Sequence, residues 1–275
     1  MTMPLSPPEL DRYCQRIELD IPFHADLSTL QHLHRQHPQA IPFENLDSWL
    51  GREVSLEPAA VFRKLVDGRR GGYCFEHNLL FRNVLETLGF AVQGLAARVL
   101  WNQPPGAGMP RTHKLLLVTI DGQRFIADVG FGGLTMTAPL MLDSTEVQAT
   151  PNENFRIVPH GADYLLEAEV SGAWVPLYRF SLEEQSPADY AMANYFVSTH
   201  PQSLFVNELI ACRVNADMRY ALLGGRLARH QLGKASEQQQ ITDAEELRAI
   251  LQQELGIELS ALPGLQQKLA TLFRA

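Results

Sequence analysis

The run His113-Lys-Leu-Leu-Leu-Val-Thr-Ile-Asp-Gly-Gln-Arg-Phe-Ile-Ala-Asp128 decides the fold. Asp121-Gly122 is a two-residue hairpin turn, because Asp and Gly tolerate the positive φ such turns need, and apolar runs flank it on both sides. The turn sets the register, with Ile120 opposite Gln123 and Leu115 opposite Asp128. Side chains alternate along a strand, so His113 shares a face with Leu115 and becomes a diagonal neighbour of Asp128. A carboxylate in an otherwise apolar strand is costly unless a polar partner is buried with it, and His113 is the partner this hairpin supplies.

Further short β-like runs lie on either side: Leu95 to Trp101, Arg124 to Phe131, and Tyr164 to Phe180, the last broken by the turn Ser171-Gly172. The long helical crossovers that parallel strands require are absent, so the middle third reads as an antiparallel sheet curled into a barrel. Upstream the pattern is helical. Ser6 and Pro7 open a helix with Leu10, Tyr13, Cys14 and Ile17 on one face, which makes Cys14 a core residue. A second helix starts near Asp26, turns Leu30 and Leu33 inward, and is expected to stop before Pro38. A third carries Val61, Phe62, Leu65 and Val66 towards Gly68, and Ile41 to Trp49 between them reads as irregular. Downstream the pattern is mixed. Thr242 to Glu245 has a capping-box spacing ahead of Leu247, Ile250, Leu251 and Leu255, and a last helix covers Leu265 to Phe273.

The chemistry-bearing stretch is Arg69-Arg-Gly-Gly-Tyr-Cys-Phe-Glu-His-Asn78, followed by Leu79, Leu80, Val84, Leu85 and Leu88 at helical spacing. Cys74 thus stands at a helix N-terminus, where orphan N–H groups and the helix dipole favour a thiolate. The two preceding glycines are expected to allow close substrate approach. A cysteine nucleophile needs a base, and the base needs an orienting acid, so Cys74, His113 and Asp128 form a candidate triad. His77, one turn beyond Cys74, is an alternative base, with no orienting carboxylate nearby except Glu76. Arg70 and Glu44 are expected to pair and support the Cys74 turn.

Composition narrows the class. The chain has 275 residues, 45% of them hydrophobic, with 23 basic and 31 acidic residues for a formal charge of −8. That suffices for a sizeable core, and without a basic run that could track phosphates, nucleic acid is not an expected partner. Met1 to Ser6 has no leader pattern, and no apolar run reaches the roughly 18 residues of a membrane span, so a cytoplasmic protein without membrane attachment is expected. Cys14, Cys74 and Cys212 are too few and too widely spaced for a disulfide framework or a zinc site. His32, His34 and His37 crowd one helix without a matching fourth ligand, so they are expected on a solvated face and no metal is expected.

Arg70-Gly-Gly-Tyr-Cys-Phe-Glu76, Thr112-His-Lys-Leu-Leu-Leu-Val118 and Ala127-Asp-Val-Gly-Phe-Gly-Gly133 resemble the arylamine N-acetyltransferase family. Pro42-Phe-Glu-Asn45 and Asn194-Tyr-Phe-Val-Ser-Thr-His-Pro201 match as well, in the family's order. The resemblance implies an α+β fold with a cysteine-protease-like core: a helical bundle over 1–90, a β-barrel over 91–195 and an α/β lid over 196–275. It implies ping-pong transfer of acetyl from acetyl-CoA, through a Cys74 thioester, to arylamines, arylhydrazines or N-hydroxyarylamines. By the same resemblance Phe43, Phe75, Phe131 and Phe205 line the acceptor pocket, and Gly130, Gly132 and Gly133 lie along CoA. Papain- and transglutaminase-like hydrolases share the Cys-His-Asp order, and amide synthases of the same fold remain an alternative, as does a CoA-ester-binding protein without turnover.

Overall fold

The computed structural model describes residues 3–20, 22–104 and 106–273. Met1 and Thr2, part of the stretch read for a leader, lie outside them. Helix α1 (Pro7–Arg16) begins at Ser6, whose backbone N–H donates to the Glu9 carboxylate at 2.9 Å. Helix α2 (Leu27–Ala40) is capped by Asp26, which accepts from Thr29 N–H at 2.8 Å. It does not stop before Pro38, as expected, but runs through it to Ala40. Pro38 forfeits one backbone hydrogen bond there, and the burial of His34, His37 and Pro38 on one face outweighs the loss. The solvated-face expectation holds only for His32, since His34 and His37 are fully buried.

The segment read as irregular folds into strand β1 (Phe43–Glu44) and helix α3 (Leu46–Trp49). Helix α4 (Pro58–Phe62) continues into a π-helical turn, Arg63–Asp67, and α5 (Cys74–Thr87) closes the bundle before Gly89. Tyr13, Ile17, Leu30, Leu33, Phe81 and Val84 pack its core, while Cys14 sits half-buried at its edge.

Eight antiparallel strands follow: β2 (Ala91–Val99), β3 (His113–Ile120), β4 (Gln123–Ala127), β5 (Leu140–Met141), β6 (Gln148–Ala149), β7 (Asn154–His160), β8 (Asp163–Val170) and β9 (Ala173–Phe180). Their order is β5-β4-β3-β2-β9-β8-β7-β6, a barrel open only between β5 and β6. The Gln148 amide bridges that seam, accepting from Met141 N–H at 2.7 Å and donating to Met141 O at 2.9 Å, so a side chain supplies what a ladder would.

The hairpin register is as read, with Ile120 opposite Gln123 and Leu116 opposite Ala127. Strand β3 is buried on both faces: Leu115 and Leu117 fill the barrel, while Leu116, Val118 and Ile120 join the bundle core. That double burial explains its unbroken apolar run. Strand β4 ends at Ala127 rather than extending to Phe131, because Asp128 folds its carboxylate back onto Gly130 N–H at 3.0 Å and turns the chain.

Helices α6 (Pro187–Thr199) and α7 (Leu204–Asn207) lead into strands β10 (Ile210–Val214), β11 (Met218–Leu223), β12 (Arg226–Gln231) and β13 (Glu237–Gln240). β1 completes that sheet by pairing with β10, Phe43 opposite Cys212, which stitches the C-terminal part onto the bundle. Helix α8 (Ala244–Ala249) is capped by Asp243 instead of Thr242, since the Asp243 carboxylate accepts from both Glu245 and Glu246 N–H groups. A π-helical turn, Ile250–Glu254, and α9 (Leu265–Thr271) end the described chain.

Candidate active site

Tyr73 caps α5, placing Cys74 as its first residue. The two glycines before it do not make room for substrate, as expected, but for the protein itself. A Cβ on Gly71 would lie 2.0 Å from Pro42 O, and one on Gly72 would lie 2.6 Å from the Glu76 carboxylate. The chain through 70–73 is thereby pressed against β1, and Glu44 N–H donates to Gly72 O at 2.8 Å. The expected pair exists and belongs to a larger buried cluster. Arg70 meets Glu44 at 2.7 Å and Asp47 at 3.1 Å, while Lys64 meets Asp47 and Glu76, each at 2.7 Å. The spare oxygens are used as well, Glu44 accepting from Leu46 N–H at 2.7 Å and Glu76 from Tyr73 N–H at 3.1 Å.

Cys74 is 5% exposed, with its Sγ 3.7 Å from Thr112 O, and it lies beside the His113 ring. His113 Nε2 donates to Asp128 Oδ2 at 2.6 Å, which leaves Nδ1 for the sulfur. Burial opposes a charged imidazole, but the Asp128 carboxylate, its hydrogen bond and Cys74 outweigh it and push His113 up to about 10. Burial likewise opposes the Asp128 carboxylate, and His113, Asn78 and Gly130 together hold it below its usual range. Asn78 was not singled out from sequence. Its amide donates to Asp128 Oδ1 at 2.9 Å and to Lys114 O at 2.7 Å and accepts from Val129 N–H at 3.2 Å, locking the bundle to the hairpin. Its position one turn after Cys74 on the same helix face was the available signal.

The predicted aromatics divide. Phe131 stands edge-on to His113 at 5.3 Å, and Tyr178, unmarked in the sequence, packs against both. Phe43 and Phe205 face each other at 6.1 Å, with Tyr73 5.5 Å from Phe205. Phe75 instead packs between Tyr73 and Tyr190. Gly132 has φ +97 beside the Phe43 ring, and Gly133 lies near Cys212. Arg219 on β11 holds this loop from the other side, donating to Gly133 O at 3.3 Å and Thr135 O at 2.8 Å while paired with Glu153. Gly130 backs directly onto α5, where a Cβ would lie 2.9 Å from both Cys74 Cα and His77 Cβ. Gly130→Ala is therefore expected to push the loop off the helix and slow turnover about 100-fold, the scale of an ångström misplacement, in a steady-state assay.

His77 is not placed to act as the base. Its Nε2 donates to Pro42 O at 3.1 Å, so its Nδ1 accepts from His37 Nε2 at 3.0 Å, and His37 Nδ1 accepts from Tyr13 OH at 2.9 Å. His34 Nε2 accepts from Asp128 N–H at 3.1 Å. Burial pushes His34 and His77 down to about 4 and His37 well below its ordinary value. These folded-state values lie below 6.5, so the neutral rings stabilise the fold above that pH and the contribution drains as pH falls towards 4. Between pH 6.5 and 5 each of His34 and His77 should cost about 2 kcal/mol, measured by urea unfolding, with a smaller loss in His77→Gln.

A thiol beside an imidazole–carboxylate pair, held between a helical bundle and an antiparallel barrel, is the arrangement that acyl-transfer enzymes with a thiol nucleophile use. The family model described as N-acetyltransferase matches residues 26–263. The arylamine N-acetyltransferase of Mycolicibacterium smegmatis is 44% identical over 260 residues, covering 93% of this chain and 94% of that protein. The arylamine N-acetyltransferase / N-hydroxyarylamine O-acetyltransferase of Salmonella typhimurium is 40% identical, covering 84% and 82%. The structure of Mycobacterium marinum arylamine N-acetyltransferase in complex with CoA superposes with a TM-score of 0.91 at 40% identity, covering 96% of this chain and 98% of that one. The chain belongs to the arylamine N-acetyltransferase family.

Proposed function

We propose that the chain transfers acetyl from acetyl-CoA to arylamines, arylhydrazines or N-hydroxyarylamines, with Cys74, His113 and Asp128 as its catalytic triad. The observation that carries the reading is His113, fixed by Asp128 at 2.6 Å through Nε2, with Nδ1 left for Cys74. His113 Nδ1 takes the Cys74 proton, and the thiolate attacks the acetyl carbonyl of the thioester. The Cys74 backbone N–H, an orphan donor at the start of α5, receives the developing oxyanion. The C–S bond to CoA breaks, the His113 proton leaves with the CoA thiol, and acetyl remains on Cys74. The amine then attacks that thioester while His113 accepts its proton, and the Cys74 thiolate departs. One thioester replaces another in the first half, so acetyl reactivity is conserved without a further cofactor.

Phe43, Phe131 and Phe205 would offer ring faces to a flat acceptor. Phe75 would support the pocket from behind through Tyr73. Gly132 and Gly133 would let CoA run close to backbone, with Gly130 seating their loop against α5; CoA as the donor is supported by the CoA-bound relative. The three-part division into 1–90, 91–195 and 196–275 follows the change from bundle to barrel to second sheet, with α6 (Pro187–Thr199) straddling the later boundary. Cytoplasmic residence is part of the same reading; no helix among the described residues is long and apolar enough to cross a membrane.

Intact-mass measurement after mixing with acetyl-CoA tests the cycle, with Cys74→Ala alongside and an arylamine chase. One acetyl group that the amine can discharge should appear on the wild type only, and it should leave as N-acetylated product forms. Amine-dischargeable loading of Cys74→Ala to the same extent, or release of free acetate instead of acetylated amine, would overturn it.

A further inference from the structure

Strand β3 places His113 on one face and Lys114 on the other. Lys114 is 4% exposed and points away from His113, against α5 and α6, where its Nζ lies 4.4 Å above the Tyr190 ring. It also lines a cavity of about 1020 Å³ between the 51–58 segment and α6, with Glu53, Arg82, Tyr190, Asn194 and Ser198 among its walls. Neither Cys74, His113, Asp128 nor the aromatics of the acceptor side line that cavity.

The chain has four lysines, and their surroundings differ. Lys64 is clamped between Asp47 and Glu76, each at 2.7 Å, and is held as an ammonium. Lys234 is exposed, and Lys268 lies over the Trp49 ring at 5.2 Å. Among the described residues no carboxylate pairs with Lys114. Of the carboxylates on its side, Glu86 is taken by Arg82 at 2.7 Å, while Glu53 and Glu57 line the same cavity without pairing with it. Burial and the Arg82 guanidinium favour the neutral amine, against weaker opposing pulls from Cys74 and Glu86, and push Lys114 down to about 7. The Tyr190 face attracts the ammonium form, so the side chain keeps a seat in either charge state.

We propose that Lys114 is a modification site, an amine poised at the wall of this cavity to be acylated by small acyl thioesters. The neutral Nζ adds to the thioester carbonyl and the C–N bond forms. The C–S bond breaks, and the proton lost by nitrogen leaves on the departing thiol. The products are an N-acyl-lysine and a free thiol, with no other reactant. The reaction does not use the Cys74 thiol and takes place on the face of β3 opposite His113.

The test treats full-length Cys74→Ala protein with S-acetyl-N-acetylcysteamine at pH 7 and maps acetylation at each lysine by peptide mass spectrometry. Lys114 should carry at least about tenfold more acetyl than Lys234 or Lys268, because an ordinary lysine is almost wholly protonated at that pH. In urea the preference should vanish, since only the fold distinguishes these amines. Acetylation of Lys114 no faster than that of Lys234 in the folded protein would overturn the proposal. Because Cys74 is absent, that result would leave the transferase cycle untouched.

Discussion

Asp128→Asn is expected to slow acetyl loading about 10⁴-fold while leaving the protein folded. Asp128 uses both oxygens: Oδ1 accepts from Asn78 at 2.9 Å and Gly130 N–H at 3.0 Å, and Oδ2 accepts from His113 at 2.6 Å. In the amide, the two donors hold the carbonyl oxygen where Oδ1 was, so the NH₂ must face His113. His113 Nε2 then has to accept, and its proton moves to Nδ1, the nitrogen that should receive the Cys74 proton. The variant also loses the carboxylate that outweighs the burial of a charged imidazole. Single-turnover loading, followed by quench and intact mass, measures the effect, with thermal melting as the control for folding. Asp128→Ala strips Asn78 and Gly130 of their acceptor as well, so it should lose stability in addition to rate. A loss below about tenfold in Asp128→Asn would mean that another group sets the tautomer.

The His113–Asp128 contact was legible because a two-residue turn leaves no freedom in register. Once Asp121-Gly122 is the turn, Ile120 must face Gln123, and the pairing of polar residues at the far end follows. Cys74 was legible because a Gly-Gly turn ahead of a helical pattern announces a helix start. Residues that act through long-range packing were not. His34 and His37 look like any polar helix face until Asp128 N–H, Tyr13 and His77 are brought to them from distant segments. Pro38 signals a stop locally, and only the burial of its neighbours overrides it. Tyr178 comes from β9, which carries an extra residue, Leu177, where its pairing passes from Leu166 to Glu167 of β8, so its alternation shifts and its meeting with His113 and Phe131 has no local pattern. The glycines before Cys74 suggest space for substrate, because a sequence shows that a Cβ is missing but not what fills the gap.

Arg70→Met is expected to destabilise the fold by about 3–5 kcal/mol, because it strands a buried charge. Glu44 is fully buried and meets Arg70 at 2.7 Å, and among the described residues its carboxylate has only the Leu46 N–H as a further partner. Asp47, the other carboxylate on Arg70, keeps Lys64 at 2.7 Å and is less affected. The burden therefore falls on Glu44, whose partner cannot be replaced by water inside the 41–49 and 70–73 crossing. Adding Glu44→Gln should recover most of the loss, since the amide carries no charge and its oxygen can still accept from Leu46 N–H. Urea unfolding of wild type, single and double variants measures this as a cycle. A single-variant cost under about 1 kcal/mol would place the pair with screened surface bridges and remove it from the account of the Cys74 turn. Acetyl loading of the double variant then separates stability from geometry. If Arg70 also positions the turn, the double variant should fold near normally yet load slowly, because Gly71 and Gly72 would no longer be pressed against Pro42 and Glu76.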